Sequence, residues 1–250
     1  MTCKNCNEII DGNFCSNCGQ STKIERINLA NFLQELSESI FQIDRGFFYT
    51  LKKLFIRPGH SIRAYLQGKR KNHFKPITYA LFLSTVYFLV SQLTGTPTFI
   101  GDFLEGFARA DSEAATAIQQ IKVITWFADN YAYTVLMLLP VYSLASFITF
   151  KKSSYNYLEH FVLNTYITGQ QAIIYTIAAV FNLWFEYNDF IVFITLAISF
   201  FYAFRVFIQF FSTYSRVTVV LRFVLTYILS LVMTLSILML IFFIIKWILM

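Results

Sequence analysis

The sequence predicts an all-α polytopic membrane protein with about five transmembrane helices, amphipathic interfacial helices and a small cysteine-rich module at its N-terminus. The 250 residues are 56% hydrophobic and only 14% charged, whereas soluble domains carry about 25% charged residues. Five apolar stretches approach the roughly 20 residues that cross a hydrocarbon core. All four cysteines lie within the first eighteen residues. Lipid is therefore the predicted environment of most of the chain.

Five apolar stretches define the predicted membrane domain, residues 76–250. The second stretch contains Pro140, which a membrane helix tolerates as a kink. The fourth contains Arg205 near its end, where a long basic side chain can reach the headgroups. The predicted spans cover about residues 76–94, 131–150, 163–185, 190–211 and 223–245.

The distribution of charge predicts the orientation. Residues 1–75 carry twelve Lys or Arg and six Asp or Glu, so this segment alone accounts for the net charge of +6. Basic residues favour the cytoplasmic side, whereas residues 95–130 carry five acidic and two basic residues. No secretory signal peptide is expected, because cysteine motifs replace an apolar region. We predict a multi-pass protein of the bacterial inner (cytoplasmic) membrane, with a cytoplasmic N-terminus and a periplasmic C-terminus.

Residues 23–75 form a predicted amphipathic and basic juxtamembrane region. Apolar residues at helical spacing predict one amphipathic helix over residues 29–43 and a second over 47–55. The second should lie in the headgroup layer or pack against the membrane domain. Arg57-Pro58-Gly59 should end it, and a short helix should follow and end near Gly68. Next comes a basic hinge whose side chains are predicted to contact anionic lipid headgroups, namely Lys69, Arg70, Lys71 and Lys75.

The most specific chemical signal is a repeated Cys-x-x-Cys motif. Two intervening residues allow one tight turn to direct both sulfurs at one ion, and four thiolates suit tetrahedral zinc at about 2.3 Å. A zinc ribbon of residues 1–22 has almost no core, so metal binding would supply most of its folding free energy. We predict one structural Zn²⁺ per chain, with the ligands Cys3, Cys6, Cys15 and Cys18.

The residues around the cysteines add detail to this prediction. Asn7 and Gly19 follow the two pairs and tolerate a positive φ, which such turns need. Asp11-Gly12-Asn13 is a turn signal and predicts a small hairpin from Asn7 to Phe14. Redox chemistry, zinc sensing and an iron–sulfur centre are the alternatives. A redox motif usually accompanies a βαβ pattern, which the sequence lacks, and structural zinc is therefore favoured.

The third predicted span contains several polar residues that could share a face. Polar groups within a membrane are often functional, although Asn and Gln also hydrogen-bond neighbouring helices, and this structural role is favoured. The candidate intramembrane polar site comprises Glu159, His160, Asn164, Gln170 and Gln171. The other two histidines, His60 and His73, lie in basic segments and are interpreted as solvated or lipid-facing.

Several motifs follow one another in the first third of the chain, namely Phe14-Cys15-Ser16-Asn17-Cys18-Gly19-Gln20, Gly46 to Leu54, Arg57-Pro58-Gly59, Tyr65-Leu66-Gln67-Gly68-Lys69-Arg70 and Phe74-Lys75-Pro76. Their order and spacing resemble the bacterial "domain of unknown function 3667" family of zinc-ribbon membrane proteins. The resemblance covers about the first third of the chain and implies a membrane protein without implying an activity. It supports the four cysteines as ligands and marks residues 57–76 as a signature.

Two classes of function remain after these observations. The sequence contains no Gly-x-Ser-x-Gly elbow, His-Glu-x-x-His pair or phosphate loop, so an enzyme is not predicted. The favoured hypothesis is a scaffold or regulator whose ribbon binds an unidentified cytoplasmic protein, with nucleic acid as a less favoured partner and an oligomer left open. The alternative is a transporter or channel for a small solute or lipid, lined by the polar residues of the third span.

Overall fold

The computed structural model describes residues 1–28, 46–98, 100–101, 126, 130–184 and 189–249. In this part of the chain the regular structure is helical. The predicted amphipathic helix over residues 29–43 and most of the acidic loop lie outside the described residues. The helices are α1 (Gly46–Ile56), α2 (Pro58–Leu66), α3 (Pro76–Thr94), α4 (Tyr131–Thr149), α5 (Tyr157–Phe181), α6 (Asp189–Phe210) and α7 (Arg216–Leu249).

Four of these helices have the length and composition of membrane spans. They are α3, α4, residues Phe190–Phe210 of α6 and residues Arg216–Leu240 of α7. This finding confirms the multi-pass helical class. Each matches a predicted span, although α7 begins seven residues before the predicted fifth span at residue 223.

Helix α5 corresponds to the predicted third span but is not among the four candidate spans of the described chain. It has 25 residues, enough to cross a bilayer. Polar residues such as Asn164 and Gln170 reduce its apolar character. The helix ends at Phe181 instead of the predicted residue 185. The prediction of five spans is therefore not confirmed.

Two prolines begin helices where the sequence predicts a start. Pro58 occupies the first turn of α2 and Pro76 the first turn of α3, where a missing N–H removes no helical hydrogen bond. Gly95 ends α3 in a left-handed conformation. The predicted break at Arg57-Pro58-Gly59 is confirmed.

The described chain divides into two compact units. Unit 1 comprises Met1–Phe74, Leu138–Asn164 and Phe204–Met250. In it, Arg205 of α6 donates hydrogen bonds to the last carbonyls of α1, at 3.3 Å from Phe55 and 2.6 Å from Ile56. The Arg205 side chain therefore caps α1, and its predicted reach toward the headgroups stays a prediction.

Unit 2 comprises Lys75–Met137 and Thr165–Ala203. Its interior is rich in tyrosine. Tyr87 contacts the rings of Tyr131 and Tyr175, with centroids 4.7 Å and 5.5 Å away. Tyr79 packs against α5 so closely that a Cβ at Gly169 would lie 2.6 Å from its ring. Small residues permit such close packing between membrane helices.

Candidate metal centre and its attachment to the basic hinge

The four cysteines converge on one point. Their sulfur atoms all lie within 4.8 Å of one another. The Cys3 and Cys18 sulfurs are 3.6 Å apart, and those of Cys6 and Cys15 are 3.5 Å apart. Sulfurs placed about 2.3 Å from a central tetrahedral ion would be about 3.8 Å apart, whereas a disulfide needs about 2.05 Å. The cluster therefore has the dimensions of a metal site.

The two halves of the site use the same backbone turn twice, twelve residues apart. The Asn7 N–H donates to the Cys3 carbonyl at 2.9 Å, and the Gly19 N–H donates to the Cys15 carbonyl at 2.8 Å. The residue after each pair has a positive φ, 63° at Asn7 and 70° at Gly19. The predicted backbone conformation at both positions is confirmed. Each turn therefore presents its two sulfurs to the same point.

The predicted hairpin over residues 7–14 is wrong. The bridges instead join Thr2 to Ile9 and Phe14 to Ser21, so each cysteine pair closes its own loop. Each bridge joins a residue just before a cysteine pair to a residue after the same pair. Residues 7–14 therefore do not pair with one another as a hairpin. We call residues 1–22 the cysteine module.

The thiols influence one another strongly. The backbone N–H of Cys6 hydrogen-bonds the Cys3 sulfur and, against desolvation, lowers the pKa of Cys3 to about 7. At Cys6 the N–H of Glu8 lowers the pKa, but desolvation and the neighbouring thiols outweigh it and raise the pKa to about 12. The Cys3 thiolate therefore forms readily, whereas the Cys6 thiolate does not. A divalent cation would favour deprotonation of Cys6 as well, because it binds thiolates directly.

The cysteine module is attached to the basic hinge through Gln20. This side chain is buried, and its Oε1 accepts hydrogen bonds at 3.2 Å from the backbone N–H groups of Arg70 and Lys71. The Arg70 guanidinium also donates to the Glu25 carbonyl at 3.0 Å. Two of the four residues predicted to bind lipid therefore contact the N-terminal segment, whereas the Lys69 side chain is exposed.

Behind the hinge, His73 packs inside the signature segment. Its Nε2 lies 3.0 Å from the Ser61 hydroxyl, and its ring meets the edges of Tyr49 and Tyr65. Burial lowers the pKa of His73 to about 4; the Lys53 charge acts in the same direction, and a hydrogen bond to the Lys69 backbone opposes both. The interpretation of His73 as solvated is wrong. His60 is exposed, with its Nδ1 2.6 Å from the Arg63 guanidinium.

Glu159 caps α5 and pairs with the juxtamembrane segment. The backbone N–H of Asn156 donates to the Glu159 carboxylate at 2.7 Å, and the Glu159 N–H donates to the Asn156 side chain at 2.9 Å. This reciprocal pair is a capping box. The Arg26 guanidinium adds two hydrogen bonds to the same carboxylate, at 2.9 Å and 2.6 Å. Glu159 thus holds residues 23–28 against the start of α5.

The other polar residues of α5 make separate contacts. The His160 Nδ1 and the Asn164 amide both hydrogen-bond the hydroxyl of Ser146, at 3.0 Å and 2.9 Å. Gln170 instead accepts a hydrogen bond from the hydroxyl of Tyr79. Gln171 is half-buried. The structure therefore brings His160 and Asn164 together and gives Glu159 and Gln170 different partners.

Sequence reasoning missed three structural contacts. Arg26 carries no local pattern that identifies Glu159 as its partner, because 133 residues separate them. The capping box had a signal, since Asn156 and Glu159 stand three residues apart directly before an apolar stretch. Gln20 follows the second cysteine turn, and no local pattern identifies the hinge, 50 residues away, as its partner.

The fold and the cysteine cluster define a class of protein, a multi-pass helical membrane protein with a four-cysteine candidate metal site. Residues 44–88 match the family described as "Protein of unknown function (DUF3667)". The matched segment runs from α1 through the basic hinge into α3, so the similarity covers this part of the chain. Comparison with curated proteins and with solved structures gives no match.

Proposed function

We propose that this chain is a non-enzymatic membrane scaffold or regulator whose cysteine module binds one zinc ion and recruits a cytoplasmic protein. The observation that carries the proposal is the convergence of four sulfurs at tetrahedral spacing within a module that Gln20 attaches to the basic hinge. Zinc suits this site because it takes four thiolates in a closed tetrahedral arrangement. Such closed sites are structural, so the module serves as a rigid surface.

The surface of the module favours a protein partner over nucleic acid. Residues 1–22 carry one lysine and two acidic residues, whereas nucleic-acid sites concentrate positive charge. Ile9 and Phe14 are 69% and 67% exposed. Apolar side chains on such a small module are available for contact with another protein.

The burial of the polar residues supports a non-transport, non-enzymatic role. Ser146 and His160 are fully buried, and their hydrogen bonds join α4 to α5. This arrangement is typical of interhelical hydrogen bonding. In the transport alternative, Gln171→Leu should reduce flux in reconstituted vesicles. The scaffold proposal expects unchanged flux.

The proposed topology has five crossings, with α5 as the third, a cytoplasmic N-terminus and a C-terminus in the periplasm of a bacterial inner membrane. The basic residues of the juxtamembrane region support the orientation. A reporter active only in the periplasm, fused after Met250, should be active. An inactive reporter would contradict the odd number of crossings.

The recruitment proposal is tested with full-length protein purified in mild detergent under reducing conditions. Wild type and Ser16→Ala, a matched control between two ligands, should contain about one zinc per chain. Cys15→Ser should lose the metal. Crosslinked partners should be shared by wild type and Ser16→Ala and be absent from Cys15→Ser. Identical partner lists for all three would contradict recruitment, and iron in place of zinc would contradict the metal assignment.

A further inference from the structure

Helix α1 has one packed face and one exposed face. Thr50 and Leu54 are buried, with Leu54 only 1% exposed. The Thr50 hydroxyl accepts a hydrogen bond from the backbone N–H of Phe74 at 2.7 Å. On the other side, Phe48 is 76% exposed and Phe55 is 42% exposed. These two phenylalanines are seven residues apart and share one side of the helix.

The exposed face of α1 combines aromatic and basic side chains. Lys52 is four residues after Phe48 and three before Phe55, so it lies between them on the same face. Lys53 borders this face, with its ammonium 5.5 Å from the centroid of the Tyr49 ring. Residues 46–75 contain eight Lys or Arg and no Asp or Glu. The surface therefore complements a negatively charged partner.

Contacts with α6 fix the position of α1 beside the end of a candidate membrane span. Arg205 binds the carbonyls of Phe55 and Ile56 at the end of α1. At the start of α2, the Gly59 N–H donates to the Gln209 side chain at 3.1 Å. The candidate span in α6 ends at Phe210. Arg205 precedes Phe210 by five residues, which is about 7.5 Å along the helix. The end of α1, which Arg205 binds, therefore lies close to the level where the span ends.

We propose that α1 is an interfacial helix that docks on anionic lipid through its exposed face. Phe48 and Phe55 insert at the boundary of the acyl chains, and Lys52 and Lys53 bind lipid phosphates. Interfacial helices carry this combination of aromatic and basic residues. A soluble protein partner is less suited, because the face lies beside the end of a span. The inference rests on the proposed membrane location and moves the main lipid contact from the hinge to α1.

The test uses the full-length chain reconstituted in vesicles with acyl-brominated phosphatidylglycerol or acyl-brominated phosphatidylcholine. Phe55→Trp places a fluorophore on the exposed face, and Asn13→Trp in the cysteine module is the matched control. The chain has three native tryptophans, whose signal is subtracted with the parent protein. Bromine quenches tryptophan only at short range. Phe55→Trp should be quenched strongly and Asn13→Trp hardly at all.

The headgroup dependence is tested in the Phe55→Trp background. Each lysine near an anionic surface strengthens binding about fivefold. Lys52→Ala combined with Lys53→Ala should therefore remove most of the excess quenching by phosphatidylglycerol over phosphatidylcholine. Lys69→Ala combined with Lys71→Ala is the control in the hinge and should leave most of that excess in place.

Three results would overturn the inference. Quenching at Phe55→Trp no stronger than at Asn13→Trp would show that α1 does not reach the bilayer. Equal quenching by both lipids would exclude recognition of anionic headgroups. Loss of the excess only in the hinge variant would return the lipid contact to the hinge, leaving the proposed membrane location intact.

Discussion

The cysteine module and the helical pair α1–α2 are neighbouring small parts of unit 1, yet they are stabilised in different ways. In the module, the buried side chains that form its centre are Cys3, Ile10 and Cys15. In the helical pair, the buried side chains include Leu54, Ile62, Tyr65 and Leu66. The module thus depends on its sulfurs, and the helical pair on apolar packing.

The cysteine module and the helical pair should therefore respond to different perturbations. Metal ligands hold a folded structure only when the ion is bound, whereas packed helices respond to changes of volume and to buried charge. Gln20 is the hydrogen-bonded link between the two parts. Four changes should therefore have different effects: removal of the metal, protonation of His73, addition of a methyl group at Gly59, and loss of the Gln20 hydrogen bonds.

The largest effect is expected from removal of a ligand. Cys15→Ser should unfold the cysteine module, because structural zinc contributes roughly 10–16 kcal/mol of apparent binding free energy in comparable small sites. Hydrogen exchange by mass spectrometry should show lost protection in residues 1–22 and retained protection in α1 and α2. Ser16→Ala should behave as wild type. Lost protection in α2 as well would show that the two parts fold together.

A smaller effect is expected from protonation of His73. Its pKa is about 4 in the folded protein against an ordinary value of 6.5, so the unfolded chain binds the proton more tightly. Stability is therefore complete above pH 6.5 and falls as the pH drops toward 4, by about 3 kcal/mol in total.

The measurement is hydrogen exchange of α1 and α2 across this pH range, corrected for the intrinsic rate. It is made in the Cys15→Ser background so that release of zinc does not contribute. His73→Gln should flatten the profile, and the exposed His60→Gln should change it less. An unchanged profile in His73→Gln would contradict the assignment.

An added methyl group at Gly59 should destabilise the packing of α2 on α6. A Cβ there would lie 2.5 Å from both the Cβ of Gln209 and the backbone nitrogen of Phe210. Overpacking of this kind costs about 1–3 kcal/mol. Gly59→Ala should lower the midpoint of thermal unfolding in detergent. Gly12→Ala, which has nothing within 4 Å of its Cβ, is the matched control in the module.

The smallest effect is expected at the link itself. Gln20→Ala removes two hydrogen bonds to the hinge, each contributing about 1 kcal/mol. The cysteine module should keep the proposed zinc, while exchange of the Arg70 and Lys71 amides should become faster. Loss of zinc in this variant would mean that the hinge contributes to the metal site.

Much of the architecture could be predicted because its determinants are local. The start of α3 at Pro76 and the break before Pro58 follow from backbone restrictions within a few residues. The positive φ of Asn7 and Gly19 follows from the short loop between cysteines. The wrong assignment of His73 has another cause. The charge of its own segment predicts solvation, whereas its side chain contacts Tyr49, Ser61 and Tyr65, and no local pattern places these residues around it.

The sequence by itself determined the membrane class, the helix starts at Pro58 and Pro76 and the four cysteines as one set, because hydropathy, proline and ligand spacing act over short distances. Only the tertiary structure decided that Gln20 joins the module to the hinge, that Arg26 pairs with Glu159 and that one face of α1 stays exposed. These contacts join residues as far as 133 positions apart. Such pairings depend on packing of the whole chain, which no local pattern encodes.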